Sequence, residues 1–350
     1  MPQVDQTSII TIKNKKIKTI KISENMKTNL KNIGLIVLAS LALTSCSNDD
    51  SSTPDYRPST GQWNSLRNEA LNNITQNFIL TAENGQTTFA TAKGVQFTIN
   101  GNCLTKNGNP VTGTVNIEYA EVFDAGTMLV TDKTTMGKLP NGDMTLIKSG
   151  GEFYINAKQG GVQLDITCPM QLIIPASLTG GLQSGMSLWD GITDIDGNLD
   201  WNQQNPATAG QGGVFGEGQG AGAAYYATLG DFGWTNVDKF YSDPRPKTTI
   251  LAGAPSGYTF QNSAIYLHYD GEGSSLAKLD TFNGTYFSEH YGQIPIGLVC
   301  HVIFVTEENG QYRYAIKPAT ITANAIYTFT SAETTLGSEA QMKAAINALP

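Results

Sequence analysis

The chain has 350 residues, 40% of them hydrophobic and only 15% charged, which is too apolar for a disordered polypeptide and long enough for about two domains with real cores. Its 37 glycines, with frequent Asn, Thr and Gln, favour strands and turns over helices. A formal net charge of −8 argues against a nucleic-acid partner, because binding phosphates needs basic patches.

Residues 1–25 are rich in Ile, Lys and Thr, with Lys13, Lys15, Lys16, Lys18 and Lys21. They read as an upstream extension with Met26 as the true start, the alternative being an unusually long basic leader. Lys27 and Lys31 then precede an apolar run of 11 residues, Ile33–Leu43. A membrane-spanning helix needs about 20 apolar residues, so 26–45 reads as a signal peptide outside the fold. It ends Leu43-Thr44-Ser45-Cys46, which resembles the bacterial lipobox. That resemblance implies cleavage between Ser45 and Cys46 and an anchor of diacylglycerol and palmitate on Cys46. Removing 1–45 takes away seven Lys and two acids, leaving 15 basic and 28 acidic residues and a net charge of −13. Such a coat suits a soluble domain held off an anionic membrane surface.

Ser47, not Asp, follows the cysteine, so the enterobacterial inner-membrane retention signal is absent. Ser47-Asn48-Asp49-Asp50-Ser51-Ser52 resembles the acidic tether of Bacteroidota lipoproteins exported to the cell surface; the plainer alternative is a linker that happens to be acidic. Residues 46–61 read as a flexible acidic tether.

Trp63, Leu66, Ala70, Leu71 and Ile74 recur at helical spacing, so a short helix is expected over 62–74, capped by Thr60. From Phe78 the period becomes two. Val95, Phe97 and Ile99 alternate with polar residues, as do Val115, Ile117 and Tyr119, then Phe153 and Ile155, then Val162, Leu164 and Ile166, before Leu172-Ile173-Ile174. Strands of this kind, parted by Asn-Gly and Gly-Gly turns, predict an antiparallel sandwich over 62–176. Residues 177–235 hold three of the four Trp, and seven Gly fall in the 16 residues Ala209–Ala224; they read as a linker or covering loop. A second sandwich is expected over 236–350. Its clearest strand, Leu298–Val305, is apolar on both faces apart from His301 and so is central. A last helix is expected over 338–349, with Ser338 and Gln341 as a capping box. The fold class is therefore mainly all-β, two antiparallel β-sandwich domains.

The stretch Asn107-Gly108-Asn109-Pro110-Val111-Thr112-Gly113-Thr114-Val115 resembles the start of carboxypeptidase-regulatory-like sandwiches. With Ile147-Lys148-Ser149-Gly150-Gly151-Glu152-Phe153 it looks more like the sandwich of zona-occludens-type scaffolds and netrin receptors. The likeness spans about residues 78–176. It rests on turn chemistry and implies a fold without catalytic residues.

Four constellations could carry chemistry. Asp194, Asp196 and Asp200 cluster oxygen ligands around Gly197, a weak calcium candidate: in an EF-hand register the first position falls on Ile192 and the twelfth on Gln203. Trp189, Trp201 and Trp234, with Tyr225, Tyr226 and Tyr241, offer a sugar-stacking platform, set against the plainer reading that they pin a loop onto the sandwich. His268, His290 and His301 are the only histidines; there is no His-Glu-x-x-His and no Cys-x-x-Cys, His268 falls on a strand face with Tyr266 and His301 on one with Val299 and Ile303, so no metal is expected. Cys103 and Cys168 fall in one predicted sandwich on an oxidising export route and are the candidate disulfide. No Gly-x-Ser-x-Gly and no nucleotide loop occurs, so no cofactor and no enzyme activity is expected, with a secreted hydrolase third in order. The reading is a lipid-anchored outer-membrane or cell-surface protein, exported through the periplasm, serving as a non-catalytic structural or binding module. Its partners are the membrane, through the lipid, and a glycan or another envelope protein; the rival reading is a surface glycan-binding lipoprotein of a polysaccharide-uptake system.

Overall fold

A computed structural model describes residues 56–193, 198–205, 213–289 and 291–350. The extension 1–25, the signal peptide with Ser45, and Cys46 lie outside the described residues, as do Asp194, Asp196 and His290. The chain settles sooner than the tether reading expects. The Tyr56 hydroxyl donates to Glu307 at 2.7 Å, and the Arg57 guanidinium lies 4.3 Å from the centre of the Tyr258 ring. Helix α1 (Thr60–Ile74) follows, capped by Ser59 rather than Thr60. The Gln62 N–H donates to Ser59 Oγ and the Ser59 N–H donates back to Gln62 Oε1, which closes a capping box.

The alternating segments become the first sandwich. One sheet runs, in spatial order, Gly213–Glu217, Ala224–Leu229, Met170–Pro175, Gln96–Asn100, Gln86–Ala90. The other begins Gln76–Thr81, Thr114–Val122, Met144–Gln159, Gly233–Phe240, Ser187–Thr193. Phe97, Ile99, Ile117, Tyr119, Phe153, Ile155, Leu172 and Ile174 share the core of this sandwich and are buried. Phe97 and Tyr119 stack at 4.7 Å between ring centres. This is the inward half of each period-two pattern, removed from water.

The segment 177–235 is not a linker. It supplies Ser187–Thr193, Leu199–Gln203, Gly213–Glu217, Ala224–Leu229 and the start of Gly233–Phe240, so the first sandwich continues to Phe240 instead of ending at 176. These strands are short and broken by glycine, so alternation never runs long enough to show in sequence. Five strands of the larger sheet also close on themselves. Met144–Gln159 pairs with Gly233–Phe240, which pairs with Ser187–Thr193, then Leu199–Gln203, then Met136–Lys138 in parallel, which returns to Met144–Gln159. Ile147, Trp189, Leu199 and Trp201 form one buried cluster within this ring. At Gly137 a Cβ would stand 2.4 Å from Ile147 Cγ2, so closure there requires glycine.

The second sandwich is built on the order Ala277–Lys278, Ser263–Tyr269, Val299–Glu308, Gln311–Thr320, Thr335–Gly337. Val299–Glu308 is central. Cys300, Val302 and Phe304 join Ile265 and Leu267 in one core, while Ile303 and Val305 join Tyr266 and Tyr312 in another. Coverage is incomplete at its first residue, where Val299 is 55% exposed. The first core is completed by a small sheet around Leu251–Gly253 and by Met136, Met144 and Leu146. The second is covered by α1, α2 (Ala125–Thr131) and α3 (Glu339–Asn347), the last capped by Ser338 and Gln341 as expected. Residues of the first sandwich thus enter the core of the second, and the described chain groups as one compact unit. No helix among the described residues is long and apolar enough to cross a membrane.

Candidate functional site

The aromatic platform resolves into three different fates. Trp189 and Trp201 are both 0% exposed. The Trp189 indole donates to the Asp238 carbonyl at 2.9 Å, and the Trp201 indole to the Thr134 carbonyl at 2.8 Å. Rings enclosed in this way have no face to offer a sugar, so these two residues are corrected from candidate ligand contacts to core. Tyr225 is also buried, its hydroxyl accepting from the Gln183 N–H at 2.7 Å. Tyr226 stacks on the exposed Phe215 with ring centres 5.2 Å apart, and Tyr241 packs edge-on against Tyr269.

Of the three tryptophans, Trp234 alone keeps part of its surface in solvent, beside a cleft of about 530 Å³. The cleft lies where the turn after Leu229 leads into Gly233–Phe240, and Asp190, Gln204, Asn205, Asp231 and Phe232 line it. Three features fix Trp234. Gly191 faces it so closely that a Cβ would meet Trp234 Cβ at 2.7 Å; Tyr154 tilts against its ring at 5.4 Å; and Lys133 Nζ lies 5.5 Å from the ring centre. Gln204 donates to Asp190 Oδ1 at 2.7 Å. A carboxylate and an amide beside a half-exposed indole offer hydrogen bonds to hydroxyl groups and a flat apolar contact, the complement of a sugar.

The calcium candidate keeps one described member. Asp200 lies on the strand Leu199–Gln203 opposite Ile192, in a β-ladder rather than a ligand loop.

Two buried charge clusters lie elsewhere. Asp132 is held by Arg67 at 3.0 Å and Lys278 at 2.9 Å and accepts from the Tyr266 hydroxyl at 2.6 Å. Burial alone would raise its carboxyl, but the two cations and the hydroxyl outweigh it and hold it at about 2. This network ties α1 to the second sandwich. Glu152 and Asp238 are fully enclosed near the bulge where Met144–Gln159 meets Gly233–Phe240. Burial pushes both well above the usual carboxylate range, and the charge of Asp238 raises Glu152 further.

The cysteines separate cleanly. Cys103 and Cys168 form a disulfide with Cα atoms 5.7 Å apart. Cys300 is a buried free thiol, pushed up to about 12 by burial and then by the nearby Asp270 charge. Two of the three histidines come together without any sequence motif. His268 stands directly opposite His301 in the pairing of Ser263–Tyr269 with Val299–Glu308, and Asp270 joins them. The local signal was His268-x-Asp270, two residues on one face of an extended chain; the partner across the ladder left no trace in the sequence. Comparison with protein-family models, curated proteins and solved structures returned no match.

Proposed function

We propose that the chain is a lipid-anchored cell-envelope protein of the outer membrane or cell surface, exported through the periplasm, whose folded part is a non-catalytic structural or binding module. The observation that carries this reading is Leu43-Thr44-Ser45-Cys46 at the end of a short apolar segment. The Cys103–Cys168 bridge supports it, since such bonds persist in oxidising compartments. One acyl chain binds membranes reversibly and stable anchoring takes more than one, so the anchor implied is a multiply acylated Cys46. Labelling cells with palmitate tests it. Wild type takes the label and partitions into detergent; Cys46→Ala takes none. A labelled Cys46→Ala protein overturns the reading.

The cleft beside Trp234 favours one ligand class, a glycan. Binding on a glycan array that is lost in Trp234→Ala, with the fold intact by circular dichroism, supports a glycan-binding lipoprotein. Binding undiminished in Trp234→Ala, or no binding to any glycan, overturns it.

A further inference from the structure

His268 and Asp270 share a face because they are two apart on an extended chain, and the Asp270 N–H donates to the Val299 carbonyl at 3.2 Å, which carries the pairing past the end of the strand. His301 enters from the facing strand, opposite His268. The ligating atoms of all three residues lie within 4.8 Å of one another. His301 Nδ1 is 2.8 Å from Asp270 Oδ1, and His268 Nδ1 is 3.7 Å from the same oxygen. Ligands on a tetrahedral zinc ion, at bonds of 2.0–2.1 Å, stand about 3.3 Å apart. The two separations from Asp270 bracket that value, and the two imidazole nitrogens lie within 4.8 Å of each other, so the three atoms gather round one ion by closing in on it.

A second observation points the same way. The His268 side chain is 1% exposed, and its Nδ1 has no hydrogen-bond partner. A buried imidazole nitrogen left unpaired is costly and calls for an explanation; a metal bond supplies one. Asp270 and His301 keep 15% and 14% of their side chains in solvent, so an ion has a way in.

We propose that His268, Asp270 and His301 form a zinc site. Two imidazoles and one carboxylate suit a borderline ion and disfavour calcium or magnesium, which take oxygen ligands. Cys300 points into the opposite core, so thiolate takes no part. Three protein ligands leave a fourth position for water, as in open zinc sites. The ion would clamp the two strands at the turn after Asp270, where the Gly271 N–H donates to the Pro350 carbonyl at 2.9 Å.

The test uses the full-length protein in detergent, stripped with chelator and titrated with zinc chloride by calorimetry. One ion per chain is expected, with a higher melting temperature. His301→Gln and Asp270→Asn should weaken binding by at least about 100-fold, since even outer-shell changes cost 10–100-fold. Cobalt in place of zinc should give the visible spectrum of a tetrahedral ion in wild type and lose it in Asp270→Asn. Asp270 and His301, which keep some solvent contact, carry the test because a change at the fully buried His268 risks the fold. Failure of the folded wild type to bind zinc overturns the proposal, as does undiminished binding by His301→Gln and Asp270→Asn.

Discussion

Trp189 and Trp201 come from adjacent antiparallel strands and share one buried cluster, each indole N–H donating to a main-chain carbonyl, of Asp238 at 2.9 Å and of Thr134 at 2.8 Å. They are the packing of the strand ring, not its ligand surface. Trp201→Ala is therefore expected to cost about 3–5 kcal/mol. Trp201→Phe keeps most of the volume but removes the donor to Thr134, and should cost about 1–3 kcal/mol. Denaturant midpoints check both, and a Trp201→Ala protein as stable as wild type would refute the assignment of this residue to the core.

The Cys103–Cys168 bridge spans a sequence separation of 65. Closing a loop of that length removes chain entropy from the unfolded state worth about 4 kcal/mol. The double variant Cys103→Ser, Cys168→Ser should lose stability of that order, and reduction of wild type should reproduce the loss. Peptide mapping without reductant should find Cys103 and Cys168 in one linked fragment; alkylation of both would count against the bond.

The legible part of this fold was the part with long alternation. Val95, Phe97 and Ile99, or Val115, Ile117 and Tyr119, announce their strands because period two is sustained over five residues or more. Ser187–Thr193 and Leu199–Gln203 do not, because their burial is decided by ring closure, which depends on contacts such as Gly137 with Ile147 and Trp189. The aromatic residues of this segment suggest a platform, yet of its tryptophans only Trp234 reaches a cleft, while Trp201 packs inside the strand ring. The histidine cluster was illegible for the same reason. His268 and His301 are neighbours only through a ladder register, a property of pairing and not of either segment.

Cys300 is buried within the second sandwich, and its thiol is pushed up to about 12. At mildly alkaline pH it should resist alkylating reagents until the protein unfolds, because both access and thiolate are lacking. Cys300→Ala should cost about 1–2 kcal/mol, since only a small cavity opens. Cys300→Asp should cost several times more, as a carboxylate in that apolar core is stripped of water. Labelling kinetics followed by mass spectrometry separate the cases, and rapid native-state modification of Cys300 would contradict its place in the core.

Glu289 should make stability depend on pH near neutrality. It is 3% exposed, and burial raises its carboxyl from 4.5 to about 7. The N–H groups of Tyr291 at 2.9 Å and Gly292 at 3.2 Å pull it back, and the charge of Asp280 pushes it up again. Below the unfolded value both states hold the proton, and the folded state keeps its full advantage. Between the two values the unfolded chain ionises while the folded protein does not, so stability falls as pH rises. The loss is complete above the folded value and amounts to about 3 kcal/mol for a shift of this size. Glu152 and Asp238 are raised as well and slope the same way, so the informative quantity is the difference between wild type and Glu289→Gln. Gln keeps an acceptor for the Tyr291 N–H and cannot ionise. Urea unfolding of both proteins from about pH 5 to 8 should show wild type losing ground to the variant across that window. A difference that stays flat with pH would show that Glu289 ionises in the folded protein as it does in the unfolded chain.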